Sequence, residues 1–145
     1  MHNLSKSTKS KLLIPIMYLI LACTYFVYSA VYEPITFHHI IGATITISAF
    51  LLWITSRIQL GNSFSLAPKA THLVKSGIYS KLRHPIYYFS ILAVLGLVVF
   101  SWSIYLLFAL SLLLVVEVFR IKQEEIILEQ KFGSDYIEYK KSTWF

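Results

Sequence analysis

An all-α integral membrane protein with about four transmembrane helices is the fold class this sequence predicts, and three observations carry it. Hydrophobic residues make up 57% of the 145 residues and charged residues only 14%, more apolar surface than a soluble domain of this size can enclose. The apolar residues gather into four runs near the length that crosses a bilayer. The thirteen Lys and Arg residues fall between and beyond those runs, all on one side once the runs are threaded back and forth.

Residues 1–11 are polar and basic, with Lys6, Lys9 and Lys11. The first run, 12–32, is long enough to cross roughly 30 Å of hydrocarbon at about 1.5 Å per residue. It exceeds the apolar core of a signal peptide and has no small-x-small cleavage site after it, so it reads as a retained helix. Glu33-Pro34 turns the chain, and a second run over 35–54 returns. The only long polar stretch, 56–81, carries turn signals at Gly61-Asn62, Pro68 and Ser76-Gly77. A third run spans 85–100 and a fourth 104–119, with Ser101-Trp102-Ser103 between them and Trp102 suited to the interface. Beyond 119 the last helix is expected to continue into water as an amphipathic segment and stop at Gly133. The whole chain is read as one domain, 1–145.

Charge placement sets the topology. The two turns opposite the N-terminus carry no basic residue, so the positive-inside rule puts both termini, the 56–81 loop and the C-terminal segment in the cytoplasm. The net charge of +6 therefore points to anionic membrane lipids rather than nucleic acid. A single cysteine, Cys23, allows neither a disulfide framework nor a Cys-based metal site and reads as a small buried hydrophobe. No metal ligand set is expected. His38 and His39 sit near the outer end of the second run and read as interfacial.

The candidate site lies at the cytoplasmic rim. Pro85 suits the first turn of a helix and pushes its predecessor out of helical geometry, which makes His84 the cap at the mouth of the third run. Unpaired N–H groups and the helix dipole there attract an anion. Arg83 adds a permanent charge, and Tyr87 follows one turn along. On the fourth run Glu117, Arg120 and Glu124 share a face by their spacing of three and four. An ordinary rim and an Arg120–Glu124 ion pair would explain some of this. Glu117 is harder to explain so, because a charge within an apolar run is costly. The hairpin between the last two runs brings their cytoplasmic ends together, so His84 and Tyr87 should meet Arg120 and Glu124, with Glu125 beside them.

The segment from Thr71 to Tyr79, then Arg83-His84-Pro85-Ile86-Tyr87, then Arg120, Glu124-Glu125, Leu128, Phe132-Gly133, Tyr136 and Tyr139, resembles the isoprenylcysteine carboxyl methyltransferase family. These membrane methyltransferases are related to the phospholipid methyltransferases. The resemblance covers residues 60–141. It implies a methyltransferase using S-adenosyl-L-methionine, held by Thr71, His72, Leu73, Val74, Tyr79, His84, Pro85, Ile86, Tyr87 and Glu124. It also implies that Arg120 is the catalytic and substrate-binding residue, facing a lipophilic or lipid-linked acceptor such as an isoprenylcysteine-like carboxylate. The chain departs from the family pattern in Phe89, where a small residue is usual, and in carrying Thr71 with His72 one place later. An NADPH-dependent membrane reductase of the steroid-reductase type and a non-catalytic membrane subunit are the alternatives. The absence of a Gly-x-Gly-x-x-Gly loop disfavours the reductase.

Overall fold

The structure, a computed structural model, describes residues 24–28, 31–32, 34–61 and 73–144. Most of the first expected span, together with Cys23, Thr71 and His72, lies outside these residues. The backbone divides into two units, 1–37 and 38–145. In the first unit, residues 24–28 and 31–32 are helical, and the rings of Tyr28 and Tyr32 lie 4.8 Å apart.

Four helices follow, and no strand occurs among the described residues. Helix α1 is Phe37–Leu60, α2 is Pro85–Ser101, α3 is Ile104–Phe132 and α4 is Ser134–Ser142. A short 3₁₀ turn, Gly77–Ser80, precedes α2. Helices α1 and α3 are each long and apolar enough to cross a membrane, and α2 is a shorter apolar helix. Large apolar side chains along them, such as Ile58, Tyr105 and Phe108, are exposed, as lipid-facing residues must be.

Helix α1 runs past the expected end at residue 54 because nothing breaks it there. Thr55 and Ser56 donate their hydroxyls back to Leu51 O and Leu52 O, at 2.9 and 2.8 Å, which satisfies both inside the helix. It ends where Gly61 takes φ +52°, a region that favours glycine. The start of α2 follows the local rule: Pro85 is in the first turn and His84 is the N-cap residue. At its other end Trp102 adopts left-handed backbone (φ 49°, ψ 25°) and donates its N–H to Val98 O at 2.9 Å. That closes the helix and starts the hairpin into α3 with the Trp102 side chain exposed. Helix α3 is unbroken for 29 residues and stops at Gly133, whose φ is +50°.

Helices α1 and α2 meet backbone to backbone. A Cβ added at Gly42 would overlap Phe100, and one added at Gly96 would overlap Thr46 and Gly42 O. Thr46 donates its hydroxyl to Gly42 O at 2.8 Å and lies 3.3 Å from Ala93 O across the contact. Lipid offers no hydrophobic drive for helix association, so small residues that permit this approach supply the packing. Gly96→Leu should destabilise the folded protein by about 1–3 kcal/mol through overpacking, read as a lowered melting temperature in detergent.

Candidate active site

The 3₁₀ turn is fastened before the site begins. Gln59 Oε1 accepts the Ile78 N–H at 2.8 Å. The Tyr79 hydroxyl donates to Ser56 O at 3.4 Å, and Tyr139 donates to Tyr79 O at 2.6 Å. Tyr79 thus links α1 to α4 through its own hydroxyl and carbonyl. Burial, with Glu124 nearby, pushes the Tyr79 phenol up, and burial raises that of Tyr139 to about 12. Both remain neutral donors.

Arg83 and His84 leave this turn facing α3. Arg83 Nε lies 3.4 Å from Glu125 Oε1, and its Nη1 donates to Lys140 O at 3.0 Å and to Thr143 Oγ1 at 3.2 Å. A guanidinium on a carbonyl of the last turn of α4 also complements that helix's dipole. The His84 ring is buried, with Nδ1 3.4 Å from Glu124 Oε2 and Nε2 3.6 Å from Glu125 Oε1. His84 caps α2 by position, as expected, but its ring is turned to two carboxylates and makes no side-chain capping bond. Lys140 completes the cluster, with Nζ 3.1 Å from Glu125 Oε2 and 3.2 Å from Glu129 Oε1.

Glu125, beyond the apolar part of α3, thereby faces two cations, Arg83 and Lys140, and the His84 ring. Burial raises its carboxyl pKa, but the Lys140 hydrogen bond and charge, with His84 and Arg83, outweigh that and hold it below the ordinary 4.5.

One turn into the membrane, Tyr87 lies against Glu124, with Glu117 and Arg120 near it. Glu117 is buried. The Ser90 hydroxyl donates to Tyr87 O at 2.8 Å and lies 3.3 Å from Glu117 Oε1, and Glu117 Oε2 lies 4.0 Å from Arg120 Nη1. Arg120 pairs back along the helix with Glu117 rather than forward with Glu124, and its side chain is 53% exposed.

The hairpin therefore gathers His84, Tyr87, Arg120 and Glu124 at one end, as the sequence predicts. Tyr79 is committed to fastening elements, while Leu73 and Val74 are half-buried just ahead of the 3₁₀ turn. Pro85 is fully buried and Ile86 half-buried at the start of α2. The sequence reading did not anticipate Ser90, Lys140 or the fastening role of Tyr139. Ser90 had one usable signal, a hydroxyl three residues beyond Tyr87 in an otherwise apolar run.

Residues 37–135, from the start of α1 into α4, match the family model described as phospholipid methyltransferase. The chain belongs to the phospholipid methyltransferase family. This family lies in the same membrane methyltransferase group as the isoprenylcysteine carboxyl methyltransferases, so the resemblance read from the motifs is borne out. No curated protein and no solved structure matches the chain significantly. As a phospholipid methyltransferase family member with two helices able to cross a bilayer, the protein is a membrane methyltransferase, and its rim cluster is the candidate active site.

Two outcomes test the cluster. Because the folded-state pKa of Glu125 is depressed, its stabilisation is complete above about pH 4.5 and fades as pH falls through the folded value. The melting-temperature gap between wild type and Glu125→Gln should be widest near pH 7 and shrink toward pH 3. Tyr136 is fully buried, and among the described residues its hydroxyl has no hydrogen-bond partner. Tyr136→Phe should be neutral or stabilising, whereas Tyr139→Phe should cost about 0.5–1.5 kcal/mol, both read by denaturant titration.

Proposed function

We propose that this protein, a membrane protein of four spans, transfers the methyl group of S-adenosylmethionine to a membrane-soluble acceptor at the cytoplasmic rim of the membrane. The observation that carries the reading is the meeting of Tyr87 and Glu124 beside the mouth of α2, within a phospholipid methyltransferase family chain. The residues present fit such a cofactor. Glu124 keeps 33% of its side chain exposed beside the buried His84 ring, so it can accept hydrogen bonds from the cofactor's ammonium or ribose hydroxyls. His84 Nε2 makes no hydrogen bond among the described residues. In the first turn of α2 Pro85 has no N–H and Tyr87 donates to His84 O at 3.1 Å, which leaves the Ile86 N–H to meet a carboxylate. Leu73, Val74, Pro85 and Ile86 would add apolar walls, and Tyr87 a ring able to pack on a cation. Thr71 and His72 are proposed to complete the set from the preceding loop.

When bound, the cofactor supplies an electrophilic methyl on a sulfonium. The chain's task is then alignment, which alone can supply several kcal/mol. His84 holds Glu124 in place, and the helix hairpin keeps water from the acceptor side. Arg120, half exposed and one turn from Glu124, is the proposed acceptor-facing residue. An isoprenylcysteine-like carboxylate is already ionised, so Arg120 would orient it and no base is required. A nucleophile that carries a proton needs a base as well.

Calorimetric titration with S-adenosylhomocysteine tests the reading. Wild type should bind saturably, and His84→Ala and Glu124→Ala should each lose binding. Arg120→Ala should bind normally but turn over more slowly. A folded wild type that binds NADPH and not S-adenosylhomocysteine would overturn the proposal in favour of a reductase. Binding of neither would indicate a non-catalytic subunit.

A further inference from the structure

The segment that follows α4 is pinned, yet it holds its largest side chain out. Arg83 Nη1 donates to Lys140 O at 3.0 Å and to Thr143 Oγ1 at 3.2 Å, and Thr143 is buried. The Trp144 N–H donates to Lys81 O at 2.9 Å. The backbone here is thus tied to the segment between the 3₁₀ turn and α2. The Trp144 ring is nevertheless 70% exposed. Lys81 lies over it, with Nζ 5.8 Å from the ring centre, within reach of a cation–π contact. Leaving an ordered indole uncovered forgoes the burial of its apolar face.

Two observations point to what covers the ring. The first is its level. Lys81 lies just ahead of His84 and Pro85, where the apolar helix α2 begins. A ring tied to Lys81 therefore stands at the boundary between hydrocarbon and water, the depth at which tryptophan is enriched. The second is charge. Lys140 is committed to Glu125 and Glu129, whereas Lys81 and Lys141 are exposed and enter no ion pair among the described residues. The acid Asp135 is in the first turn of α4, and the last turn, next to Trp144, is basic. Exposed Ile137, one turn before Lys141, adds apolar surface on the same helix face. An indole with two uncommitted ammonium groups beside it, at the membrane boundary, is complementary to a negatively charged headgroup on acyl chains.

We propose that Trp144, with Lys81 and Lys141, forms a docking surface for an anionic phospholipid of the surrounding bilayer. The ring seats at headgroup level, and the two ammonium groups draw the lipid's net negative charge. A zwitterionic lipid also carries a phosphate, but its own cation offsets the attraction, so the surface selects for anionic lipid. The tether does not end at the surface. Through the bonds of Arg83 to Lys140 O and Thr143 Oγ1, the docked end of α4 is joined to Glu125 in the rim cluster. This surface is independent of the reaction the protein performs.

The test uses the full chain in nanodiscs of mixed phosphatidylglycerol and phosphatidylcholine, with a nitroxide near the top of the acyl chain of one lipid or the other. Trp53→Phe with Trp102→Phe leaves Trp144 as the fluorescent reporter. If that background does not fold, the difference between wild type and Trp144→Phe isolates the same signal. Labelled phosphatidylglycerol should quench Trp144 with a preference of about fivefold or more over labelled phosphatidylcholine, the factor that one lysine contributes near an anionic surface. Lys81→Gln combined with Lys141→Gln should abolish the preference, and added salt should weaken it. Lys122→Gln, which removes an exposed charge of α3, should leave it unchanged. Equal quenching by the two lipids would overturn the proposal, because the ring would then be an interfacial residue without selectivity. So would quenching by neither, which places the ring in water. A preference that survives loss of both lysines, or that Lys122→Gln removes equally, would overturn it as well.

Discussion

A carboxylate on a helix leaving the membrane must find its polar partners near the rim, and Glu125 finds them on two other elements. Arg83 and His84 come from the mouth of α2, and Lys140 comes from α4. Neither contact is available to α3 alone, so satisfying this one acid fixes where α2 begins and where α4 folds back. Arg83 extends the effect by donating to Lys140 O and Thr143 Oγ1, and the Trp144 N–H closes on Lys81 O at 2.9 Å. Partly buried ion clusters add little net stability, since desolvation opposes their attraction. Their value here is positional: with Glu125 engaged, its neighbour Glu124 is held beside Tyr87 with part of its surface free.

Much of this arrangement was legible in the chain. The start of α2 at Pro85 and the stop at Gly133 follow from rules that act within a few residues: a fixed φ without an N–H at one, a positive φ at the other. The hairpin followed from run lengths, and the meeting of His84 with Glu124 followed from the hairpin. What the chain concealed depends on the rotation of one helix against another. Spacing put Glu117, Arg120 and Glu124 on one face but could not decide which acid Arg120 would choose. The choice falls to Glu117, the more buried acid, where a counter-charge is worth more. Likewise nothing local tells that Ser90 would stand opposite Glu117, that Gly42 and Gly96 would mark a helix contact, or that Tyr79 would act as a rivet between α1 and α4.

The two layers of the site differ in character as a result. At the rim, charges are numerous, partly solvated and mutually compensated, a setting that suits a polar cofactor arriving from water. Below it, the seam between α2 and α3 holds few polar groups in apolar surroundings. Each of those is felt strongly, because little else screens it. The proposed reaction, which joins a water-soluble donor to a lipid-borne acceptor, needs both layers within about one or two helical turns, roughly 5–11 Å, and the hairpin carries both on a single pair of helices.

Helix α3 spans both layers without a break, over 29 residues, a rod of about 44 Å at 1.5 Å per residue. Its first half is a lipid-facing span, and its second half bears the acids that meet α2 and α4. A rod of this kind works as a lever. A bilayer that is too thin or too thick for the span changes its tilt, and the far end, with Glu124 and Glu125, swings with it. The part of the rod that crosses the bilayer and the part that carries the rim acids are thus one continuous helix, so any change in its tilt would also be a change in where Glu124 and Glu125 stand.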